Sequence, residues 1–531
     1  MVIRKPNKVS VAILGAACLA WTLTGCSGTN GNAGPSSPSA PSSSQASVEP
    51  SASPEASASA GPKQIAEGRP VTLSVDLHGW MPTLNKEATP ENPNVFQSTQ
   101  VIADEFMKLH PNVTIEWART KPVGGLQNEV AEWLTTQVAA GTAPAITFTW
   151  GNAYQERGWY ESLSADLDTP NEYMPGNEKW RELFPDYLMT HRELVDAHQN
   201  LVAIPFALYS GPPTGYYINK DLFAKYGLQP PKTWAEQFEV AKTFKENGII
   251  PFAPWGFFKK IELSHWNIQF SVGPAYAGAI MDKTDYNKDG QIELAENIRA
   301  VKQGLYSPLE HEYAKEVYTE LKKFYKDFLS PGWQDTDYTK LWNEGKVAMK
   351  EEGVWALPAE NGNMERQFEF GLIPPPLVTE FAAKDIEPLK IEFTEKGPFQ
   401  PGPDLSLNVL KPVVENNPDL REAAIAFLKF LTLPENVSMA VVEQGAALGA
   451  VRGSEIPPLL NDWMNNQFPI VPKANWPGAF TDEQSVLMHK EFELWVLDKS
   501  SDETFFKKIN DIQQKSADAA ITNMKIDTAG W

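Results

Sequence analysis

An α/β fold with a largely parallel sheet is predicted for this chain on three observations. From residue 70 onward, β-like runs alternate with helical ones. The helical runs carry start and stop signals, capping residues at one end and glycine at the other. Only two cysteines occur among the 531 residues, both close to the N-terminus, so the body has to be held by its apolar core. About 460 residues remain for that body, enough for two or three well-buried domains.

In chain order, a basic start (Arg4, Lys5, Lys8) precedes an apolar run from Val11 to Leu23 that is too short for a comfortable bilayer span. Small residues follow, so residues 1–25 read as a secretory leader. Its ending, Leu23-Thr24-Gly25-Cys26, resembles the lipobox of bacterial lipoproteins. That resemblance implies that Cys26 is acylated, becomes the first mature residue and carries a membrane anchor. The plainer alternative is an ordinary signal peptide with an incidental cysteine. With Cys18 inside the leader and Cys26 at its end, the body has no disulfide, thiol nucleophile or thiolate metal ligand.

Residues 27–62, the bulk of a segment taken as 26–69, are almost wholly Ser, Ala, Pro, Gly and Asn, which cannot bury enough apolar surface to offset ordering entropy. They read as a flexible linker holding the body away from a membrane, of a length suited to a Gram-positive wall. A formal net charge of -21 argues against nucleic acid or anionic lipid as the main partner, and against a strongly anionic polysaccharide. No second stretch of about 18 apolar residues follows, so the acyl chain would be the membrane attachment.

The body opens with VTLSV (71–75), a helical stretch STQVIADEFMKLHP, VTIEW, a helix through NEVAEWLTTQVAAG, and AITFTW. Further on, Thr233 and Glu236 make a capping box, Trp234, Phe238, Ala241 and Phe244 share a helix face, and Gly248 closes the helix. Four segments then carry a family resemblance: ADEFMKLHPNVTIEW with QVAAGTAPAITFTWG; YYINKDLFAKYGLQPPKTWAEQFEVAKTFKENGIIPFA; LWNEGKVAMKEEGVWALP; and REAAIAFLKFLTLPENVSMAVVEQGAALGAVRG. In this order they resemble the extracellular carbohydrate-binding lipoproteins, of the family 1 type, that feed ABC importers. The resemblance implies a two-lobed, periplasmic-binding-protein-like α/β fold with a hinge and a central ligand cleft. Crossings between lobes are expected near Leu208, Pro375 and Leu433. Lobe I would comprise 70–208 plus 376–433, and lobe II 209–375 plus 434–531. Insertions at about 255–310 and 376–400 depart from the family pattern and would decorate a lobe. The implied role is capture of a carbohydrate, an oligosaccharide by preference, by a monomeric receptor on the extracellular face of the cell membrane. Delivery would be to ABC permease subunits, without enzymatic turnover and with no nucleic-acid partner.

The first insertion holds DYNKDGQIELAE (285–296), which fits the EF-hand loop at every constrained position. Asp285, Asn287 and Asp289 offer side-chain oxygens, Gly290 the sharp turn, Gln291 its carbonyl, Glu293 the ninth position, and Glu296 a bidentate carboxylate. One structural calcium ion is therefore expected, since the ion needs six to eight hard oxygens about a point. The alternative is an acidic turn that merely precedes a helix.

With 17 Trp, 15 Tyr and 26 Phe, most rings must be core, and cleft residues are sought on loops just after strands. Trp80 follows the first strand, and Trp150, Asn152 and Tyr154 follow another. Trp255, then His265 and Trp266, follow the run ending at Ala253. Trp355 ends the EEGVW segment, whose aromatic faces ligand in the family it resembles, and Asp404 opens the strand that enters from the other lobe. These nine are the candidate ligand contacts. No GxSxG, HExxH, P-loop or GxGxxG is present. A secreted glycoside hydrolase with Glu351 and Glu352 as paired carboxylates is the rival reading, weakened because neighbours on a strand point to opposite faces.

Overall fold

Two apolar cores organise the chain, each wrapped around one mixed sheet. The structure, a computed structural model, describes residues 64–531 except 90–93, 120, 122–126, 149–157, 197, 255, 258–259, 262–265, 399 and 473–475. The leader, Cys26 and nearly all of the linker lie outside the described residues.

In the first lobe, Val71, Leu73 and Val75 alternate inward along Val71–Val75, as a half-buried strand should. The sheet order is Ala447–Gly449, Ile204–Tyr209, Pro403–Val409, Ile146–Thr147, Val71–Val75, Val113–Trp117. Val71–Val75 runs parallel to both Val113–Trp117 and Ile146–Thr147, whereas Pro403–Val409 and Ala447–Gly449 are antiparallel to their neighbours. The expected largely parallel sheet is thus corrected to a mixed one. The reason is topological: the chain leaves the first lobe after Tyr209 and re-enters at Pro403 beside Leu208, so the returning strand must run the other way.

The second sheet has the order Phe370–Ile373, Thr214–Asn219, Val347–Gly353, Ile250–Ala253. Against it pack the capped helix Trp234–Glu246 and the long helix Glu312–Phe328. On the former, Thr233 Oγ1 accepts from the Glu236 N–H at 3.2 Å while Glu236 Oε2 accepts from the Thr233 N–H at 3.1 Å. On the latter, Val317, Leu321, Phe324 and Phe328 fall at helical spacing and are buried, so Leu321→Ala would cost roughly 2–5 kcal/mol.

The lobe boundaries differ from the sequence expectation at two of three crossings. The first passes through Ser210–Pro213, close to Leu208 as expected. Beyond Pro375, however, Val378 and Ala383 join the second core and Glu392–Phe393 pairs with Pro469–Ile470, so the return to the first lobe comes just before Pro403. Helix Pro434–Gln444 places Val437, Ala440 and Val441 in the first core, Ala446 touches the second core before Ala447, Ala450 and Val451 return to the first, and the second core resumes for good with Leu460 and Trp463. Residues 267–302 are no surface decoration either: Ile268, Val272, Tyr276, Ile298 and Val301 are fully buried in the second core. Among the described residues no single helix is long and apolar enough to cross a membrane.

Candidate functional site

Because strand direction alternates as described, the C-terminal ends of Val71–Val75, Val113–Trp117, Ile146–Thr147 and Ile204–Tyr209 all point toward the crossings, as do the N-terminal ends of Pro403–Val409 and Ala447–Gly449. On the second sheet, Thr214 pairs with Gly353 beside the first crossing, and Ile250–Ala253 ends in the same sense. Both sheets therefore present strand ends and the loops after them to the place where the lobes join, where ligand sites of open α/β sheets form.

At the first-lobe end, Asp76 is fully buried and gathers three donors. Its Oδ2 accepts from Lys121 Nζ (2.8 Å) and Thr147 Oγ1 (2.8 Å), and its Oδ1 from the His78 N–H (2.8 Å). Lys121 also donates to the Phe148 carbonyl at 2.6 Å, so one ion pair ties together the chain just beyond three strands. The Asp76–His78 bond accompanies a left-handed backbone at His78 (φ 52°), a conformation that non-glycine residues adopt only when surroundings enforce it. The His78 ring packs on Phe148 at 5.3 Å. Burial, aided by the Lys121 charge and opposed by Asp76, pulls its imidazole down to about 4, so the ring is neutral over the physiological range. Burial also lowers Lys121, with Asp76 holding against it.

At the second-lobe end, Trp355 follows Val347–Gly353 and is 52 % exposed, an unusual state for so large a ring. It stands edge-to-face on Trp266, with centroids 5.3 Å apart and planes at 86°, and Trp266 itself is buried. Gly353 makes this possible, since a Cβ there would lie 2.1 Å from the Trp355 ring. The Val354 N–H donates to the Pro213 carbonyl at 3.0 Å, fixing the platform beside the first crossing.

The nine candidate contacts thus fall into three groups. Trp355 and Asp404 lie at strand ends next to the crossings, and Trp266, at the start of the helical segment Asn267–Val272, braces Trp355. Trp80 is buried in the first core, with Phe206 at a near-right angle to it and ring centroids 5.6 Å apart. Trp150, Asn152, Tyr154, Trp255 and His265 lie outside the described residues. Asp76, His78 and Lys121 are not among the nine, although the same positional rule that selects Trp80, residues just beyond a strand, covers Asp76 and His78.

Glu351 and Glu352 sit on opposite faces of their strand. Glu351 is buried beside Tyr216, whose hydroxyl bonds Asn267, while Glu352 lies on the face of Tyr217 and accepts from the Gly353 N–H at 2.8 Å. A groove of about 970 Å³ between helices Trp234–Glu246 and Glu312–Phe328 shares no residue with the strand ends above.

The 285–296 loop turns at Gly290 (φ 81°) with its side-chain oxygens folded onto its own backbone. Asp285 accepts from the Asp289 and Gly290 N–H groups at 3.2 and 3.0 Å, and Asp289 from that of Gln291 at 2.9 Å. Glu296 accepts from Tyr286 at 2.7 Å and from Glu293 at 2.9 Å, the latter half of a capping box for helix Leu294–Lys302. Among the described residues no three carboxylate or imidazole groups gather at one point.

A family described as bacterial extracellular solute-binding protein matches residues 101–452. The chain belongs to this family. Among solved structures, this solute-binding protein is similar to apo RafE from Streptococcus pneumoniae, at 18% identity and TM-score 0.53, over 86% of this chain and 100% of that one. It is also similar to a chitin oligosaccharide binding protein, at 18% and 0.52, over 80% and 95%. These likenesses carry the two-lobed solute-binding fold. Among curated relatives, an uncharacterized ABC transporter extracellular-binding protein of Pyrococcus horikoshii is 28% identical over 30% of this chain and 33% of its own. A probable sugar-binding periplasmic protein of Rhizobium meliloti is 30% identical over 27% and 33%. The matches thus span about one third of the length of these relatives.

Proposed function

We propose that this solute-binding protein captures an uncharged or weakly charged saccharide, an oligosaccharide by preference, between its lobes and hands it to an ABC import permease. The observation that carries this reading is Trp355, an exposed indole braced on Trp266 at the interlobe strand ends. An exposed ring held rigid can stack on the apolar face of a pyranose at little entropic cost. His78, neutral and held by Asp76 at the first-lobe strand ends, would supply a hydrogen-bonding partner. The sugar-binding relatives support the same class of ligand. A hydrolase is disfavoured because Glu351 and Glu352 cannot flank one bond from opposite faces of a strand.

The receptor works outside the cell, tethered through acylated Cys26 and the 26–69 linker to the membrane of a Gram-positive cell, and acts as a monomer. The 285–296 loop takes one calcium ion: its residue types and its turn at Gly290 suit the ion, and binding would draw Asp289 and Glu296 from backbone amides toward it. Calorimetric titration against a glycan panel, with reducing-sugar release measured on the same samples, tests the function. Binding without turnover is expected; turnover would replace this reading with the hydrolase, and binding of a peptide alone would keep the import role while removing the sugar.

A further inference from the structure

The exposed Trp355 ring stands at the middle of a loop that is closed at its base. The chain passes from Lys350 near the end of strand Val347–Gly353 through the turn Val354–Ala356, which carries Trp355, into the short helix Leu357–Asn361, which bears Glu360. Lys350 Nζ donates to Glu360 Oε2 at 2.8 Å, so a single ion pair joins residues equally far before and after the indole. Helix Leu357–Asn361 also abuts the first lobe, since a Cβ on Gly445 would lie 3.8 Å from the Pro358 ring.

The bridge is buried, its two side chains 18 % and 7 % exposed, and each partner is held from further sides. Glu360 Oε1 accepts from the Trp342 indole at 2.8 Å and lies 3.0 Å from Arg366 Nε, while an Arg366 terminal nitrogen donates to the Glu360 carbonyl at 3.3 Å. Lys350 Nζ sits 5.1 Å from the Tyr217 ring centre and 5.0 Å from that of Trp342, and the Tyr217 hydroxyl donates to the Gly353 carbonyl at 3.0 Å. Beyond the helix, the Asn363 amide donates to Asn343 at 2.9 Å and Asn343 donates to Glu365 at 3.0 Å. A single turn and so short a helix have little conformational stability of their own, so the shape of this loop is set by what fastens its ends. A loose loop would have to be ordered by the ligand, at a cost in affinity.

We propose that Lys350 and Glu360 are positioning residues for ligand capture: their bridge holds the loop in the shape that presents Trp355 to a sugar ring, so that the ordering is complete before ligand arrives. This rests on the saccharide reading and adds to it two residues that act through Trp355 rather than by touching ligand. Trp266 supports the indole from its edge, and the bridge fixes the backbone that carries it.

Glu360→Gln would leave Lys350 and Arg366 buried without their carboxylate and so confound affinity with folding. Lys350→Met opens the loop more gently, because Glu360 keeps Arg366 and the Trp342 indole. The test is a double-mutant cycle in which wild type, Lys350→Met, Trp355→Ala and the combined variant are each titrated calorimetrically with the tightest-binding oligosaccharide of the panel. Lys350→Met is expected to weaken binding roughly fivefold where Trp355 is present and less than about twofold where it is alanine. A merely structural loss would weaken binding by the same factor in both backgrounds, and that result overturns the inference, as does unchanged affinity in Lys350→Met. Either outcome leaves the saccharide reading intact so long as Trp355→Ala itself binds more weakly than wild type. If Trp355→Ala binds as tightly as wild type, the bridge has no platform to position and the inference falls. Failure of every glycan to bind would remove both.

Discussion

Lys121 Nζ lies 2.8 Å from Asp76 Oδ2 with the two side chains only 4 % and 0 % exposed, so each charge is solvated almost entirely by the other and by the groups around them. Such a pair is costly to break from one side, because the survivor stays buried without its counter-ion. Lys121→Met is expected to destabilise the fold by roughly 3–5 kcal/mol, and Lys121→Met with Asp76→Asn by clearly less than the two single changes added. Chemical denaturation of the four proteins measures this. A single-variant loss under about 1 kcal/mol would show that water reaches the pair after all.

The exposed half of the Trp355 ring predicts a separation of binding from stability. Trp355→Ala should weaken saccharide binding by roughly 1–3 kcal/mol in calorimetry while moving the melting temperature little. Trp266→Ala, which removes a buried brace, should lower both. Undiminished affinity in Trp355→Ala would take the platform out of the site.

For Asp404 the sign of the pH effect is fixed. Its carboxyl is raised to about 6 in the folded protein, above its ordinary value of 3.8, so between those pH values the folded state keeps a proton that the unfolded chain has lost. Stability falls as pH rises through that window and stays lower above it. Asp404→Asn should therefore raise the melting temperature at pH 8, by the equivalent of roughly 1–2 kcal/mol, and leave it unchanged near pH 3.5. A pH-independent difference would contradict the assignment.

Calcium should act by mass action. With free ion about a hundredfold above Kd, chelation would remove roughly 2–3 kcal/mol of stability. Asp285→Ala with Glu296→Ala lowers stability on its own account, since Glu296 caps a helix, so the readout is whether the variant still responds to chelator. It should not. A wild-type melting curve indifferent to thorough chelation would leave the loop as an acidic turn.

Cys26→Ala is expected to move the protein from the membrane fraction to the medium. Retention of the variant on the membrane would count against the acyl anchor.

Local structure was largely legible in the sequence because its causes are local. Thr233 and Glu236 cap their helix within one turn, and VTLSV alternates with the strand period. What escaped depends on partners far away in the chain. Asp76 and Lys121 are 45 residues apart and meet only because two adjacent strands end together. The 267–302 segment looks like an addition by length alone, and becomes core once Ile298 and Val301 are seen against the helices that cover them. Trp80 follows its strand as the positional rule has it, but its contact with Phe206, far along the chain, is set by the packing of the first core. Asp404 was legible as a position, but its partial burial at the head of Pro403–Val409 is a property of the fold.

At the crossings, the lobes are joined by more than peptide. The Trp463 indole donates to the Ser210 carbonyl at 2.9 Å, Ser210 Oγ to the Ala446 carbonyl at 3.2 Å, and a Cβ on Gly211 would collide with Trp463 and Phe468. Three strands bunched on one side and stapled by a buried ring leave bending about that side as the low-cost motion, like a book held at its spine. Observed affinity then scales with the fraction of molecules able to adopt the shut arrangement. A change at Gly211 or Trp463 would retune capture of ligand without ever meeting it, so the set point of this receptor is written as much in its spine as in its pages.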